Sequence, residues 1–437
     1  MSQVGRSPKC VRSCRRTHRL EVVMSQEFDV LVVGGGPGGA TAAAILAQRG
    51  YAVALLDRAT FPRYRVGESM IPYNYFPLEK AGMIPALRSS QFPQKYSVQF
   101  IGQSGRQSQP FYFDTHIDHE CAQTWQVTRG LFDAMLVDQC RKVGVTVVEG
   151  MQAVELIEQN DAVVGVVARG LDRTEHRYRA KMTMDASGGH GFAMGQLGWR
   201  IYDPGLEKVA IWGYFKGAKR DEGKDEGATT ITYLEGKNWL WYIPLQDDIV
   251  SVGVVGDDDY IYRESRDLQT IFETACEKNT WIREHMAGSQ IDGKYRSCVH
   301  RSYRSRHCAK NGLVLLGDAF SFLDPVFSTG MFIALRTADL AAEAVDLALK
   351  AGDVSGSQFI EYGEKACREI EMLRRLVYAF YADRFSFKQI VVKYPELKDA
   401  ITDCLVGHLD RDFSELCSAL AEFLELPPVV EHGRAKE

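Results

Sequence analysis

The chain contains no run of the ~18–20 apolar residues that a membrane-spanning helix requires, so no transmembrane segment is expected. Its ten cysteines include no C-x-x-C pair, the spacing that most often signals a metal or dithiol centre. A chain of 437 residues can build its core without disulfide staples. The cysteines therefore read as reduced, mostly buried thiols of a cytoplasmic protein, and no metal is expected. Basic excess is lacking too, since the formal charge of −5 argues against nucleic acid as a partner. There are no internal repeats and no low-complexity segments. What remains is ordinary for a globular protein, with 45% hydrophobic and 25% charged residues and a length of roughly three domains.

Residues 1–23 do not match the rest. Arg6, Lys9, Arg12, Arg15, Arg16 and Arg19 stand against Glu21, a local +6 − 1 = +5, with no apolar core segment. That excludes a secretory signal peptide. An organellar presequence has this composition; the simpler expectation is a basic extension outside the fold, which would begin near Met24.

The chain is organised around Phe28–Asp57. Phe28 to Val33 is nearly continuous apolar sequence, as in a parallel strand buried on both faces. It runs into Gly34-Gly35-Gly36-Pro37-Gly38-Gly39, which satisfies G-x-G-x-x-G at Gly34, Gly36 and Gly39. A helix with a small-residue face (Ala40, Ala43, Ala44, Ala47) follows, with Gly50 placed to cap it. Ala52–Leu56 reads as a second strand ending at Asp57, which lies 57 − 34 = 23 positions past Gly34. Such glycines let backbone N–H groups approach a pyrophosphate at a helix N-terminus, and the acid can accept ribose hydroxyls. Strand, glycines, helix, strand and acid together predict dinucleotide binding.

Beyond Asp57, Arg58 and the stretch Phe61–Ser69 form a polar loop beside that site. Lys95–Phe100 alternates like a strand. Gln126–Gly130, containing Arg129, leads into a helix over Leu131–Lys142, and Val145–Val148 reads as a short buried strand. Val163–Ala168 and Tyr178–Met184 form a hairpin-like pair ending in Asp185-Ala-Ser-Gly188-Gly189, which lacks the continuation of a second nucleotide site. From Gly205 to Asp257, strand-like stretches (Ala210–Phe215, Thr229–Tyr233, Trp239–Pro244, Ile249–Val255) alternate with charged turns, as in an inserted antiparallel sheet. Gly312–Asp318 returns to a buried strand, Phe322–Gly330 is a loop, and Met331–Lys350 is an alanine-rich helix. From Ser357 onward the chain reads as helical.

These parts give an α/β fold. A three-layer, Rossmann-like dinucleotide-binding domain over residues 24–350 is interrupted by strands near 93–125 and by a β-sheet substrate domain near 205–295. A helical region over 351–437 follows. The fingerprint, the Arg129 helix, Asp185-Ala-Ser-Gly and the distal Gly317-Asp318 resemble the FAD-dependent aromatic hydroxylase superfamily. The resemblance implies that Gly34, Gly36, Pro37, Gly38, Gly39, Asp57, Arg58 and Arg129 hold the ADP side of FAD, and that Gly317 and Asp318 meet the ribityl chain.

Two motifs narrow this further. Trp239-Leu-Trp241-Tyr-Ile-Pro244 matches W-x-W-x-I-P, and Phe322-Leu-Asp-Pro325-Val-Phe-Ser328-Thr-Gly330 matches F-x-x-P-x-x-S-x-G. Both are similar to signatures of flavin-dependent halogenases. Phe61-Pro-Arg-(x)3-Gly67-Glu-Ser69 resembles the branch acting on phenols and pyrroles. The implied chemistry is that reduced flavin, O2 and chloride or bromide give hypohalous acid. Trp239 and Trp241 would wall the substrate off, Pro325 and Ser328 would shape the turn, and the N–H groups of Thr329 and Gly330 would hold the halide. Lys95, in K-x-x-x-x-F, matches the family's halogen-carrying lysine, where an ordinary pKa favours a hydrogen-bonded hypohalous acid over an N-halogenated amine.

Where tryptophan halogenases carry a glutamate before the motif serine, this chain has Phe327. That implies a phenol, a pyrrole or a carrier-tethered ring as substrate, and not free tryptophan. With no second nucleotide domain, the reduced flavin is expected from a separate flavin reductase. The alternative readings are a geranylgeranyl-reductase-like flavin enzyme, an FAD-dependent monooxygenase, or an FAD electron-transfer protein.

Overall fold

A computed structural model describes residues 26–436; the basic extension over residues 1–23 lies outside the described residues. Its first layer is a parallel sheet in the order Thr146–Glu149, Val53–Asp57, Gln26–Val33, Glu175–Asp185, Leu313–Leu315. All four neighbouring pairs run parallel. The central strands are buried on both faces, which is why they read as unbroken apolar runs. Thr146–Glu149 is the edge strand and only half-buried, although the sequence suggests a buried one. Met151–Gln159 and Ala162–Gly170 extend the sheet as an antiparallel meander into Glu175–Asp185.

Parallel strands bring their carboxyl ends to one edge, and ligands bind in the crevice beyond it. Four loops meet there: Gly34–Gly36, Asp57–Ser69, Ala186–Gly189 and Gly317–Asp318. The helix Pro37–Gln48 starts at this edge with a proline, whose missing N–H costs nothing at that position. It crosses the helix Thr329–Ala351 so closely that a Cβ on Gly38 would lie 2.8 Å from the Ala334 carbonyl oxygen. A larger residue there would push the two helix N-termini apart.

The second layer is a nine-stranded sheet in which Trp239–Pro244 lies between Thr229–Tyr233 and Ile249–Gly256. Trp239, Trp241 and Ile243 join the core shared with the first layer. Leu240 and Tyr242 point the other way, into a second core under the helices Leu268–Glu277 and Thr280–Met286. Period-two alternation between two cores explains a strand with no exposed residue.

The expected strand Lys95–Phe100 is split. Gln94–Lys95 pairs with Thr124–Trp125, while Ser97–Ile101 joins the large sheet. Tyr96, between the ladders, accepts from the Phe113 backbone N–H. Helices Ile360–Tyr381, Phe387–Lys393, Lys398–Val406 and Ser414–Ala421 follow. The residues after 423 are extended instead of helical and return along Arg306–Ala309.

Candidate active site

A cavity of about 510 Å³ lies between the two layers. Its first wall is the glycine loop. A Cβ on Gly39 would sit 1.9 Å from the Gly34 carbonyl oxygen, and one on Gly34 would sit 2.3 Å from that of Ala186. Those two glycines are demanded by the fold. Gly36 differs: a Cβ there would project into open space, meeting only Arg63 Nη2 at 3.6 Å. Gly34, Gly36, Pro37 and Gly38 line the cavity, whereas Gly39 is packed behind it.

Asp57 and Arg58 line the same cavity. The Asp57 carboxylate accepts from Gly35 N–H and Ala59 N–H, both at 2.8 Å, and stands 3.5 Å from Arg63. Burial, with Arg63 and Arg58 close by, holds the Arg65 guanidinium below its usual value. Three arginines and the N-terminus of a helix converge on the space that Gly36 leaves open. An anionic pyrophosphate fits that cradle.

Arg129 reaches the cavity, yet its donors are committed. It gives hydrogen bonds to Asp133 and to the Val66 carbonyl, and Asp133 also binds Arg63. It therefore orders the loop around the cofactor site as much as it faces the cavity. Gly317 and Asp318 line the opposite side, where burial pushes Asp318 up to about 6 against the pull of Arg129. Asp185 holds its turn through Ser187 N–H and Ala193 N–H, and that turn lines the same cavity. The second glycine cluster thus completes the first site.

At the Pro325–Gly330 turn, Ser328 takes a left-handed conformation (φ 56°) and caps the 23-residue helix Thr329–Ala351. Such strain in a non-glycine residue concentrates at functional sites. The first N–H groups of a helix have no intrahelical acceptor, and the dipole makes that end attractive to an anion. Pro325, Ser328 and Gly330 line the cavity; the Thr329 side chain is fully buried, its hydroxyl without a partner among the described residues. Phe327, beside this turn, packs on Phe380 and Phe387.

The far wall is aromatic. Trp239 and Trp241 have ring centroids 6.2 Å apart, and Trp212 from the neighbouring strand lies 6.3 Å from Trp241. All three line the cavity. Both Trp212 and Trp241 pair with Gly253, where a Cβ would fall 2.3 Å from the Trp241 ring and 2.6 Å from Trp212 Cβ. The glycine lets the Trp241 indole lie across the sheet. Trp212 carries no motif, and a lone tryptophan in a predicted strand gives no signal of this role.

Lys95 is not on the cavity surface; it lies fully buried behind it. Its Nζ donates to Ser69 Oγ and to the Met70 carbonyl, both at 2.8 Å. Ser69 Oγ is 2.8 Å from Thr229 Oγ1, which also accepts from Gln126 Nε2, and Ser69 and Thr229 both line the cavity. Among the described residues no carboxylate pairs with the amine, and burial pushes it down to about 7. The lysine expected from sequence thus stands one hydrogen bond beyond the cavity wall.

The tryptophan halogenase family model matches residues 29–125 and 103–385. A 1H-pyrrole-2-carbonyl-(peptidyl-carrier protein) brominase of Pseudoalteromonas luteoviolacea is 28% identical, over 87% of this chain and 92% of that one. A tryptophan 2-halogenase of Chondromyces crocatus is 32% identical, over 80% of this chain and 67% of that one. The solved flavin-dependent brominase Bmp2 superposes with a TM-score of 0.82 at 26% identity, covering 91% and 99% of the two chains. With the glycine loop and both motif segments on one cavity, the chain belongs to the flavin-dependent halogenases, in the tryptophan halogenase family.

Proposed function

We propose that this halogenase works on an electron-rich aromatic, a phenol, a pyrrole or a ring tethered to a carrier protein, and that Lys95 carries the halogen. The observation that carries the reading is a fully buried lysine with no carboxylate partner, one hydrogen bond from the cavity. Burying such a group costs stability, so its retention without an ion pair favours a chemical role.

FAD would lie with its pyrophosphate between Gly36 and the arginines, and with Gly317 and Asp318 beside the chain of hydroxyls. Reduced FAD, delivered by a separate flavin reductase, supplies the electrons that activate O2, and chloride or bromide is then oxidised to hypohalous acid. The N–H groups of Thr329 and Gly330 are suited to hold the halide at the helix N-terminus. The three indoles exclude water and keep the aromatic substrate away from the flavin side. Hypohalous acid leaving that side meets Ser69 and Thr229 before Lys95.

Burial that lowers the amine to about 7 gives it a substantial neutral fraction at pH 7, against about one in a few thousand for ordinary lysine. A neutral amine donates two protons, to Ser69 and Met70, and keeps a free lone pair. The N–halogen bond can then form as the O–halogen bond breaks, with the amine proton leaving in water. This makes an N-halogenated Lys95 as accessible as the hydrogen-bonded acid favoured by sequence alone.

Phe327, enclosed by Phe380 and Phe387, offers no charge to a free amino acid, which supports a neutral or tethered ring. The brominase relative named above acts on a pyrrole held by a carrier protein, and this chain covers 92% of it. The test supplies FAD, a flavin reductase and NADH with pyrrole, phenol and carrier-bound pyrrole substrates, with and without bromide or chloride. Halide-dependent product that vanishes without the reductase is expected. Rapid NADH oxidation by the protein alone, with hydroxylated product, would contradict the proposal.

A further inference from the structure

Two of the wall indoles end on buried carboxylates through tyrosines. Trp239 Nε1 donates to Tyr381 Oη at 2.9 Å, and Tyr381 Oη donates to Asp324, 3.1 Å from each carboxylate oxygen. Asp324 is 2% exposed and also fixes the Pro325–Gly330 turn by accepting from Val326 N–H at 3.0 Å. Trp212 Nε1 donates to Tyr64 Oη at 2.9 Å. Tyr64 Oη lies 3.4 Å from Tyr214 Oη, which donates to Glu68 at 2.7 Å.

The Trp239 chain runs donor to acceptor from indole to carboxylate, whereas the Trp212 indole donates to Tyr64 and is joined to Glu68 by Tyr214, whose hydroxyl faces both as donor. Each carboxylate belongs to a loop that faces the cofactor space, Asp324 to Phe322–Gly330 and Glu68 to Phe61–Ser69. Trp241, the middle indole, donates instead to Ser251 within its own sheet. A buried carboxylate without an ion pair is expensive to keep. Asp324 has Lys208 nearby, but that ammonium pairs with Asp257 and stacks on the Tyr381 ring. A role in packing alone would be filled better by an apolar side chain.

We propose that Asp324 with Tyr381, and Glu68 with Tyr214 and Tyr64, are positioning residues that lock the Trp239 and Trp212 indoles to the two cofactor-facing loops. The inference rests on the halogenation reading above. The wall keeps its shape only while both loops are in place, so the electrons of each turnover end in product. With the wall loose, they end in hydrogen peroxide, formed from O2, two electrons and two protons.

The test compares Tyr381→Phe with wild type and with Tyr378→Phe, a change on the same helix that loses a hydrogen bond to Asp203 of the strand Arg200–Lys216 without touching the wall. In protein carrying 15N-tryptophan, the Trp239 indole N–H signal, assigned by Trp239→Phe, should shift and exchange faster with solvent in Tyr381→Phe only. The ratio of halogenated product to peroxide should fall about tenfold, while FAD affinity stays within about twofold. Tyr214→Phe should act likewise on the Trp212 signal and serves if Tyr381→Phe does not fold. An unmoved indole signal, or an unchanged product-to-peroxide ratio, overturns the proposal. Should the wild type give no halide-dependent product, the halogenation reading fails separately, and the indole signals alone decide the positioning role.

Discussion

Two basic side chains, Arg129 on the cavity wall and Lys95 buried behind it, clamp opposite ends of the stretch Val66–Met70, and they differ in what they meet there. Arg129 donates to the Val66 carbonyl and to both oxygens of Asp133, a carboxylate with no exposed surface. Lys95 donates to the Met70 carbonyl and to a serine hydroxyl, with no anion in reach. Burial pulls both groups toward their neutral forms. At Arg129 the Asp133 carboxylate outweighs that pull and raises the guanidinium above its usual value. At Lys95 nothing opposes it, and the amine falls to about 7. Burial thus leaves a permanent structural charge where a carboxylate answers it, and an amine of lowered pKa where none does. The partner decides, not the depth.

The comparison breaks first at Asp133. Asp133→Asn leaves Arg129 and Arg63 without their shared anion and should destabilise the fold by about 3 kcal/mol. A loss below about 0.5 kcal/mol in urea unfolding would place Arg129 among surface pairs and remove the contrast. Weaker FAD binding should accompany the loss, because Arg63 then releases the loop that closes on Gly36.

Lys95→Met sharpens the other half. In the unfolded chain the lysine titrates near 10.4; in the folded protein it titrates near 7. Between those values the unfolded state binds more protons, so this group makes the wild type more stable as pH rises. Lys95→Met lacks the effect. It should be the more stable protein at and below pH 7, its advantage shrinking by up to about 1.4 kcal/mol per pH unit toward pH 10. An advantage that stays constant from pH 7 to pH 9.5 would mean that Lys95 is charged in the fold.

How much of this was readable in the chain depends on how far apart the parts lie. The Gly34–Asp57 unit and the Trp239–Pro244 strand are local, so spacing and periodicity locate them on their elements, strand ends shifting by about a residue. The tie from Trp239 to Tyr381 spans 142 positions, and that from Ser69 to Thr229 spans 160. No local pattern encodes such pairings. The sequence indicates Lys95 from its strand context but not its lowered pKa, which arises from full burial in the folded chain. The Asp185–Gly189 cluster lacks the following helix–strand–acid unit of a nucleotide site, so the sequence alone gives it no such role. Its role becomes visible only once strand pairing brings it beside Gly34. Gly36 and Gly39 look equivalent in the motif, but Gly36 opens on the cavity while Gly39 holds the fold.

The most direct test of the proposal that Lys95 carries the halogen is Lys95→Ala, assayed with the flavin reductase and bromide for three quantities together: bound FAD, oxygen consumed and brominated product. Removing a group that transfers the halogen should lower product at least about a hundredfold. FAD content and oxygen consumption should stay near wild type, the electrons appearing as hydrogen peroxide. Bromination by Lys95→Ala at a rate close to wild type, with FAD fully bound, would contradict the account.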